Sequence, residues 1–298
     1  MNPKTVVITG TNGNLGRKLI QAFTPQDWCG EILGIDIDFL GEPIRSDKFR
    51  PVQADLVDRH DRRWQEAIEK ADAVVHLAAR NPYPDATWEE SAASFDMTIN
   101  VVEASTRAKP RRLVFATSNH VMGRYKDRPE GSIPRSLKPD TPPQTGTIWR
   151  SAGQRFESTA YAVAKLMGER LCVLRASPDA LTAVAIRIGW CQPGENLPAT
   201  ISPTGKPIDG TEMWDEDGLR DLRWFRAMWL SNRDFTGIVQ AAILADASGW
   251  PAPGIVVNAM SANRDMPWDL EPTIRALGYQ PQDDVWSVLD PATRPEPT

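Results

Sequence analysis

Cysteine is scarce in this chain, with three in 298 residues. Cys29, Cys172 and Cys191 stand far apart, and they form neither a CxxC pair nor a Cys/His cluster. A disulfide framework and a structural metal site are therefore not expected, and this usage fits a reducing cytoplasm. No run of about 18 apolar residues occurs, which excludes a membrane-spanning helix. The first strand pattern begins within four residues of the start, so no secretory leader is expected. Positive charge is not concentrated either: 34 Lys and Arg face 39 Asp and Glu for a net charge of −5, and no basic stretch of nucleic-acid-binding type appears. There is no internal repeat. What is left fits a soluble chain long enough for one large α/β domain with or without an attached lobe.

Three glycines open the case for a ligand. Lys4-Thr5-Val6-Val7-Ile8 reads as a strand, Thr9-Gly10-Thr11-Asn12-Gly13-Asn14-Leu15-Gly16 as a turn, and Arg17 to Phe23 as the helix after it. Glycine at 10, 13 and 16 permits a tight turn, close backbone approach to a pyrophosphate and a helix N-terminus aimed at the anion. A second apolar run, Glu31 to Ile35, ends in Asp36, placed to accept bonds from the adenosine ribose. That carboxylate, with Asp38 beside it, disfavours a 2′-phosphate, so NAD is expected over NADP.

Strand and helix patterns then alternate, as a parallel sheet covered on both faces requires. Strands are expected at Arg50–Ala54, Ala73–Ala78, Arg112–Ser118, Thr182–Ile188 and Ile255–Asn258. Helices are expected at Asp61–Ala71, Trp88–Ala108, Ser158–Ala176, Arg233–Ala245 and Leu270–Leu277. The fold class is α/β, a Rossmann-type doubly wound parallel sheet with a small C-terminal substrate-binding lobe. Residues 1–298 form one domain on this reading. The cofactor core spans about 1–190, and the lobe lies mainly in about 190–230 and 255–290. Two stretches break the rhythm with proline and no helical or strand periodicity: 124–158, read as an inserted loop, and about 192–222. The end from Pro291 is expected to fray. Ligands of open α/β sheets sit beyond the carboxyl ends of the strands. Asp55, Leu56, Leu77, Ala78, Ala79 and, from the long helix, Asn100 therefore join Gly10, Asn12, Gly13, Asn14, Leu15, Gly16 and Asp36 as candidate cofactor contacts.

Tyr161-Ala162-Val163-Ala164-Lys165 puts a phenol and an ammonium one helical turn apart. A tyrosine, with an ordinary pKa of about 10, serves as a base near neutrality only where positive charge stabilises the phenolate. Lys165 and an oxidised nicotinamide would both supply it. Ser118, at the polar end of its strand, could hold the reacting hydroxyl in line.

With TGxxGxxG at Thr9 to Gly16, Ser118, and YxxxK at Tyr161 and Lys165, the chain resembles the extended short-chain dehydrogenase/reductases over nearly its whole length. Within that superfamily it is most similar to the uronate dehydrogenases, through Phe115-Ala116-Thr117-Ser118-Asn119-His120, Arg187-Ile188-Gly189-Trp190-Cys191 and Trp229 to Phe235. The resemblance implies NAD-dependent oxidation of the anomeric carbon of a free sugar acid to a lactone. It makes Tyr161 the base and Ser118 the orienting hydroxyl, while Lys165 grips the nicotinamide ribose and lowers the tyrosine pKa. Asn119 and His120 would contact the sugar. Arg223 or Arg226 would bind its carboxylate, with Arg80, Arg150 and Arg155 as further cations. Trp190 and Trp224 are candidate sugar-stacking residues, and His76 reads as a packed strand-end residue.

The long connection from Ser118 to Tyr161 and the enlarged 192–222 stretch depart from the uronate type, and both would lie over the sugar. A larger or different acid, such as a sulfonated sugar like sulfoquinovose, would then be admitted. Two rival functions stand beside this one. A nucleotide-sugar epimerase would retain its NAD, and a non-catalytic NAD-binding sensor would not need Ser118, Tyr161 and Lys165 together. A homo-oligomer, most simply a dimer, is expected.

Overall fold

Apolar residues at consecutive positions in short runs can be buried only when both faces of a strand are covered, and that is how the first run sits. Val6, Val7 and Ile8 of β1 (Lys4–Thr9) are fully buried. Val6 and Ile8 pack into one layer and Val7 into the opposite one, the period-2 alternation of a strand. The computed structural model describes residues 3–128, 136–151, 154–203 and 214–289.

After β1 come α1 (Asn14–Phe23), β2 (Cys29–Asp36), β3 (Phe49–Gln53), α2 (Arg62–Glu69), β4 (Ala73–His76), α3 (Trp88–Ala108) and β5 (Arg112–Ser118). The second half runs β6 (Ile148–Ser151), β7 (Gln154–Glu157), α4 (Thr159–Arg175), β8 (Thr182–Ile188), α5 (Glu216–Ala227), α6 (Asn232–Leu244), β9 (Gly254–Ala259), α7 (Glu271–Leu277) and α8 (Val285–Val288). Seven strands make one parallel sheet in the order β3-β2-β1-β4-β5-β8-β9. The winding reverses between β1 and β4, which opens a crevice at the carboxyl ends of those strands.

Local chemistry sets the helix ends. Thr87 and Glu90 form a capping box at the start of α3, each side chain bonded to the other's backbone N–H. Lys109, in the left-handed conformation with φ 57°, stops it. On α4, Glu169 meets Arg187 of β8 through two hydrogen bonds of 2.8 and 3.0 Å, with both side chains fully buried. This pair fixes the rotation of α4, and hence of Tyr161 and Lys165, against the sheet.

Two expectations are corrected. The stretch 124–158 is not without regular structure. Residues Asn119–Asp127 form a 3-10 helix whose N-cap is Ser118, and β6 and β7 pair as an antiparallel hairpin. Leu137 bridges to Trp268. Strands of four residues between prolines are too short to register as periodicity, and their pairing supplies the order. The stretch 192–222 likewise holds a short turn at Pro198–Thr200 and the start of α5, capped by Asp215; residues 204–213 lie outside the described residues. Helix α8 was not foreseen, and the end from Pro291 is likewise outside them.

Beyond the strand ends a third apolar cluster gathers Val121, Met122 and Tyr125 with Phe225, Trp229, Trp268 and Val285, all buried. Lys126 Nζ, buried, bonds Asp221 at 2.5 Å and so ties the 3-10 helix to α5.

Candidate active site

One large cavity, about 870 Å³, runs along the carboxyl ends of the strands from Gly10 to Phe225. At its first end stands the glycine turn. Gly10 has φ +73°, and a Cβ there would lie 2.9 Å from the Ala78 amide nitrogen. A Cβ on Gly16 would sit 2.3 Å from the Gly10 carbonyl oxygen. Any side chain at either position would therefore push turn, strand and helix apart. Gly13 caps α1 without a side-chain bond, which leaves the first-turn N–H groups at the cavity for an anion. Asp36 accepts from the Asn12 N–H at 2.7 Å and the Ile37 N–H at 2.8 Å, while Asn12 Nδ2 donates to Asp38. Burial pushes the Asp36 carboxyl up, and these backbone bonds oppose the rise.

Asn12, Gly13, Asn14, Leu15, Asp55, Leu56, Leu77, Ala78 and Ala79 also line the cavity. Gly16 and Asn100 do not. Gly16 acts through packing, and Asn100 Nδ2 donates to the Leu56 and Val57 carbonyls at 2.8 and 3.2 Å, holding the Leu56 loop in place. The glycine cradle, the free helix terminus and the strand-end carboxylate fit a dinucleotide.

At the centre lie Ser118, Tyr161 and Lys165, brought together from β5 and α4. The Ser118 hydroxyl stands near the Tyr161 phenol and favours its ionised form, and Lys165 Nζ donates to the Ala116 carbonyl at 2.8 Å while lying 5.7 Å from the centre of the tyrosine ring. Burial pushes the phenol up to about 12, against which only the neighbouring Ser118 hydroxyl pulls, and pushes the ammonium down to about 8. Desolvation outweighs the opposing pull of Ser118, so a phenolate needs positive charge beside it.

His120 lines the cavity, its ring edge-on to Tyr161 at 5.9 Å. Its Nδ1 is taken by Thr147 Oγ1 at 2.7 Å and Ser158 Oγ at 3.2 Å, and burial pushes its pKa down to about 4. His76 is different. Thr9 Oγ1 accepts the Leu77 and Ala78 N–H groups, so its own proton goes to His76 Nδ1 at 2.8 Å, and His76 Nε2–H donates to Thr98 Oγ1 at 3.2 Å. Burial pushes His76 down to about 3, and it stays a neutral bridge between β1 and α3.

The far wall is aromatic. Trp190 meets Phe225 edge-on at 5.2 Å, and Trp149 and Phe156 stack at 5.8 Å. Two polar atoms on lining residues, Asn119 Oδ1 and Trp190 Nε1, are buried with no hydrogen-bond partner among the described residues.

The expected cations are dispersed. Arg80 lines the cavity but lies 3.5 Å from Asp55. Arg223 is exposed and Trp224 packs on Trp268, and neither reaches the cavity, because the helical repeat of α5 turns Phe225 towards it instead. Arg226 also stands off the cavity wall. It is half-buried with no ion-pair or hydrogen-bond partner among the described residues, and burial lowers its pKa. Arg150 and Arg155 sit on the outward face of the hairpin, opposite Trp149 and Phe156 in the register. Phe156, Phe225 and Trp149 were not anticipated, since only the hairpin pairing and the start of α5 show which way they face. Among the described residues no group of three or more His, Cys, Asp or Glu side chains converges as a metal site would need.

Fold and cradle together define a dinucleotide-binding α/β protein of the doubly wound type. Residues 6–189 match the model of the NAD dependent epimerase/dehydratase family, and the chain belongs to that family. It is 31% identical to the L-arabinose 1-dehydrogenase (NAD(P)(+)) of Haloferax volcanii, covering 96% of this chain and 99% of that one. It is 25% identical to the uronate dehydrogenase of Agrobacterium fabrum over 95% of this chain and 86% of the relative. The solved structure of a glucuronic acid dehydrogenase from Chromohalobacter salexigens superposes with a TM-score of 0.67 at 22% identity, covering 99% and 91% of the two chains, and so shares the fold.

Proposed function

We propose that this protein oxidises the anomeric hydroxyl of a free aldose to the aldonolactone with NAD, and that its preferred sugar carries an acid group, carboxylate or sulfonate. The observation that carries the dehydrogenase reading is the junction of Ser118, Tyr161 and Lys165 on the same cavity as the glycine cradle. In this assignment Gly10, Asn12 to Leu15, Asp36, Asp55, Leu56 and Leu77 to Ala79 hold the cofactor, with Gly16 and Asn100 shaping its seat. Bound NAD supplies a hydride acceptor and a positive ring. Tyr161, brought into its phenolate form by that charge and by Lys165, takes the proton of the C1 hydroxyl. Ser118, beside the phenol, holds the same hydroxyl in line. Asn119 and Trp190, which line the cavity, would contact the remaining hydroxyls. Residues about 1–190 act as cofactor core, and the segments about 190–230 and 255–290 complete the sugar side.

The acid group is supported by the likeness to the uronate dehydrogenase of Agrobacterium fabrum; Arg226 is half-buried without a partner among the described residues but does not line the cavity. A neutral aldose is the second reading. It is favoured by the pairing of Arg80 with Asp55, which leaves Lys165 as the one cation on the described wall without a carboxylate beside it, and by the likeness to an L-arabinose enzyme.

The test is NADH formation at 340 nm with glucuronate, galacturonate, sulfoquinovose, L-arabinose, glucose and UDP-sugars. Turnover of free acidic sugars is the expected result. Turnover confined to neutral aldoses would leave Arg226 a structural residue. Silence on all free sugars, with tightly retained NAD, would move the assignment to an epimerase.

A further inference from the structure

The β6–β7 hairpin belongs to the connection between Ser118 and Tyr161, and its two faces are chemically unlike. In the antiparallel register Trp149 opposes Phe156 and Arg150 opposes Arg155. Alternation turns the first pair one way and the second the other. Trp149 is buried and, with Phe156, lines the cavity, the rings stacked at an interplanar angle of 14°. Arg150 and Arg155 are exposed.

The base of the hairpin is fastened to the catalytic end of the cavity. Gly146 N–H donates to the His120 carbonyl at 2.9 Å, Ser158 N–H to the Thr147 carbonyl at 3.0 Å, and Thr147 N–H to Ser158 Oγ at 2.8 Å. The hydroxyls of Thr147 and Ser158 both reach His120 Nδ1. A Cβ on Gly123 would meet Thr147 Oγ1 at 2.0 Å, so the anchor and the 3-10 helix are in close contact. The hairpin is thus seated on the residue whose ring abuts Tyr161.

An exposed hairpin gains nothing in solubility from an inward stack of indole and phenyl at a polar cleft. A pyranose or furanose has an apolar C–H face that such a surface accommodates, while its hydroxyl rim takes hydrogen bonds elsewhere. We propose that the β6–β7 hairpin is the sugar-reading wall of this enzyme. Trp149 and Phe156 take the C–H face of the aldose whose C1 hydroxyl lies at Ser118 and Tyr161, and they select among sugars by ring shape and substituent orientation rather than by charge. This rests on the reading of the cavity as a sugar dehydrogenase site.

The experiment compares Trp149→Ala, Trp149→Phe and Phe156→Ala with the wild type across the same sugar panel. The two alanine variants should raise sugar KM by about tenfold or more, with kcat and the KM for NAD within about twofold, the pattern of lost binding common to ground and transition states. They should also flatten the ranking among epimers, and Trp149→Phe should restore most of both. Arg150→Ala, on the outward face, should change neither. Unchanged sugar KM and ranking in both alanine variants would overturn the proposal, as would equal losses for NAD and sugar. If the wild type turns over no free sugar, the assigned function fails. Calorimetric binding of the panel sugars to the Tyr161→Phe protein with NAD then decides the hairpin separately: binding weakened by Trp149→Ala supports the wall, and binding indifferent to it, or absent, overturns it.

Discussion

The two ends of the cavity are built in opposite ways. The cofactor end is backbone and short side chains from consecutive residues, with Gly10, Asn12, Gly13, Asn14 and Leu15 within one turn and Asp36 at the end of the neighbouring strand. The end proposed for the sugar is bulky side chains from four separate parts of the chain: His120 from the 3-10 helix, Trp149 and Phe156 from the hairpin, Trp190 after β8, and Phe225 from α5. A dinucleotide presents the same phosphates and ribose everywhere, so one backbone motif suffices. A sugar is distinguished by its outline, which takes several walls that can change independently.

Four changes would break or sharpen that contrast. Removing the phenol oxygen with Tyr161→Phe should lower kcat by about 10²–10⁴ through lost proton transfer. Isothermal titration should find NAD affinity unaltered, because the cofactor end does not use that oxygen; a parallel loss of NAD binding would show the two ends are one unit. Glu169→Ala leaves the fully buried Arg187 guanidinium without its carboxylate, at an expected cost of about 3–5 kcal/mol. Thermal unfolding should show it, together with lost activity, because α4 carries both Tyr161 and Lys165.

Asp36→Ser acts on the cofactor end alone. Relieving a like-charge contact with a 2′-phosphate, about 1–4 kcal/mol at roughly 4 Å, should raise kcat/KM for NADP relative to NAD by about tenfold or more. The sugar ranking should not move.

The smallest effect is a pH dependence shared by both ends. His76 and His120 are buried and held neutral, with pKa about 3 and about 4 against an ordinary value of about 6.5. The unfolded chain therefore binds more protons than the folded one as pH falls below about 6.5, and stability rises with pH through that window. From pH 6.5 to 5.5 the pair should cost together about 2 kcal/mol, lost progressively as pH drops towards the folded values. Denaturant titrations should show His120→Asn removing about half of that slope. An unchanged slope would mean that His120 is not desolvated as its surroundings indicate.

Much of this was legible in the chain. The glycine spacing, Asp36, Ser118, Tyr161 and Lys165 all lie in stretches where one local pattern determines the geometry: strand, turn, helix, or one turn of a helix. The strands of the central sheet were visible too, since continuous apolar runs have few alternatives to a doubly covered sheet. Arg223 shows where the reading stopped. Chain position alone allowed it or Arg226 to face the ligand, and the actual start of α5, capped by Asp215 and tied by Lys126 to Asp221, put Phe225 there instead.

The sequence by itself determined the sheet, the glycine turn and the spacing of Tyr161 and Lys165, because hydrophobic period, glycine sterics and i,i+4 spacing act over a few residues and need no partner to be interpreted. Tertiary structure alone decided the aromatic end of the cavity. Which face Trp149 and Phe156 present depends on a strand register. The role of His120 depends on hydroxyls 27 and 38 residues away, and the aromatic wall exists only where segments far apart in the chain meet above the sheet. Burial and long-range pairing are properties of the assembled surfaces, and no local pattern encodes them.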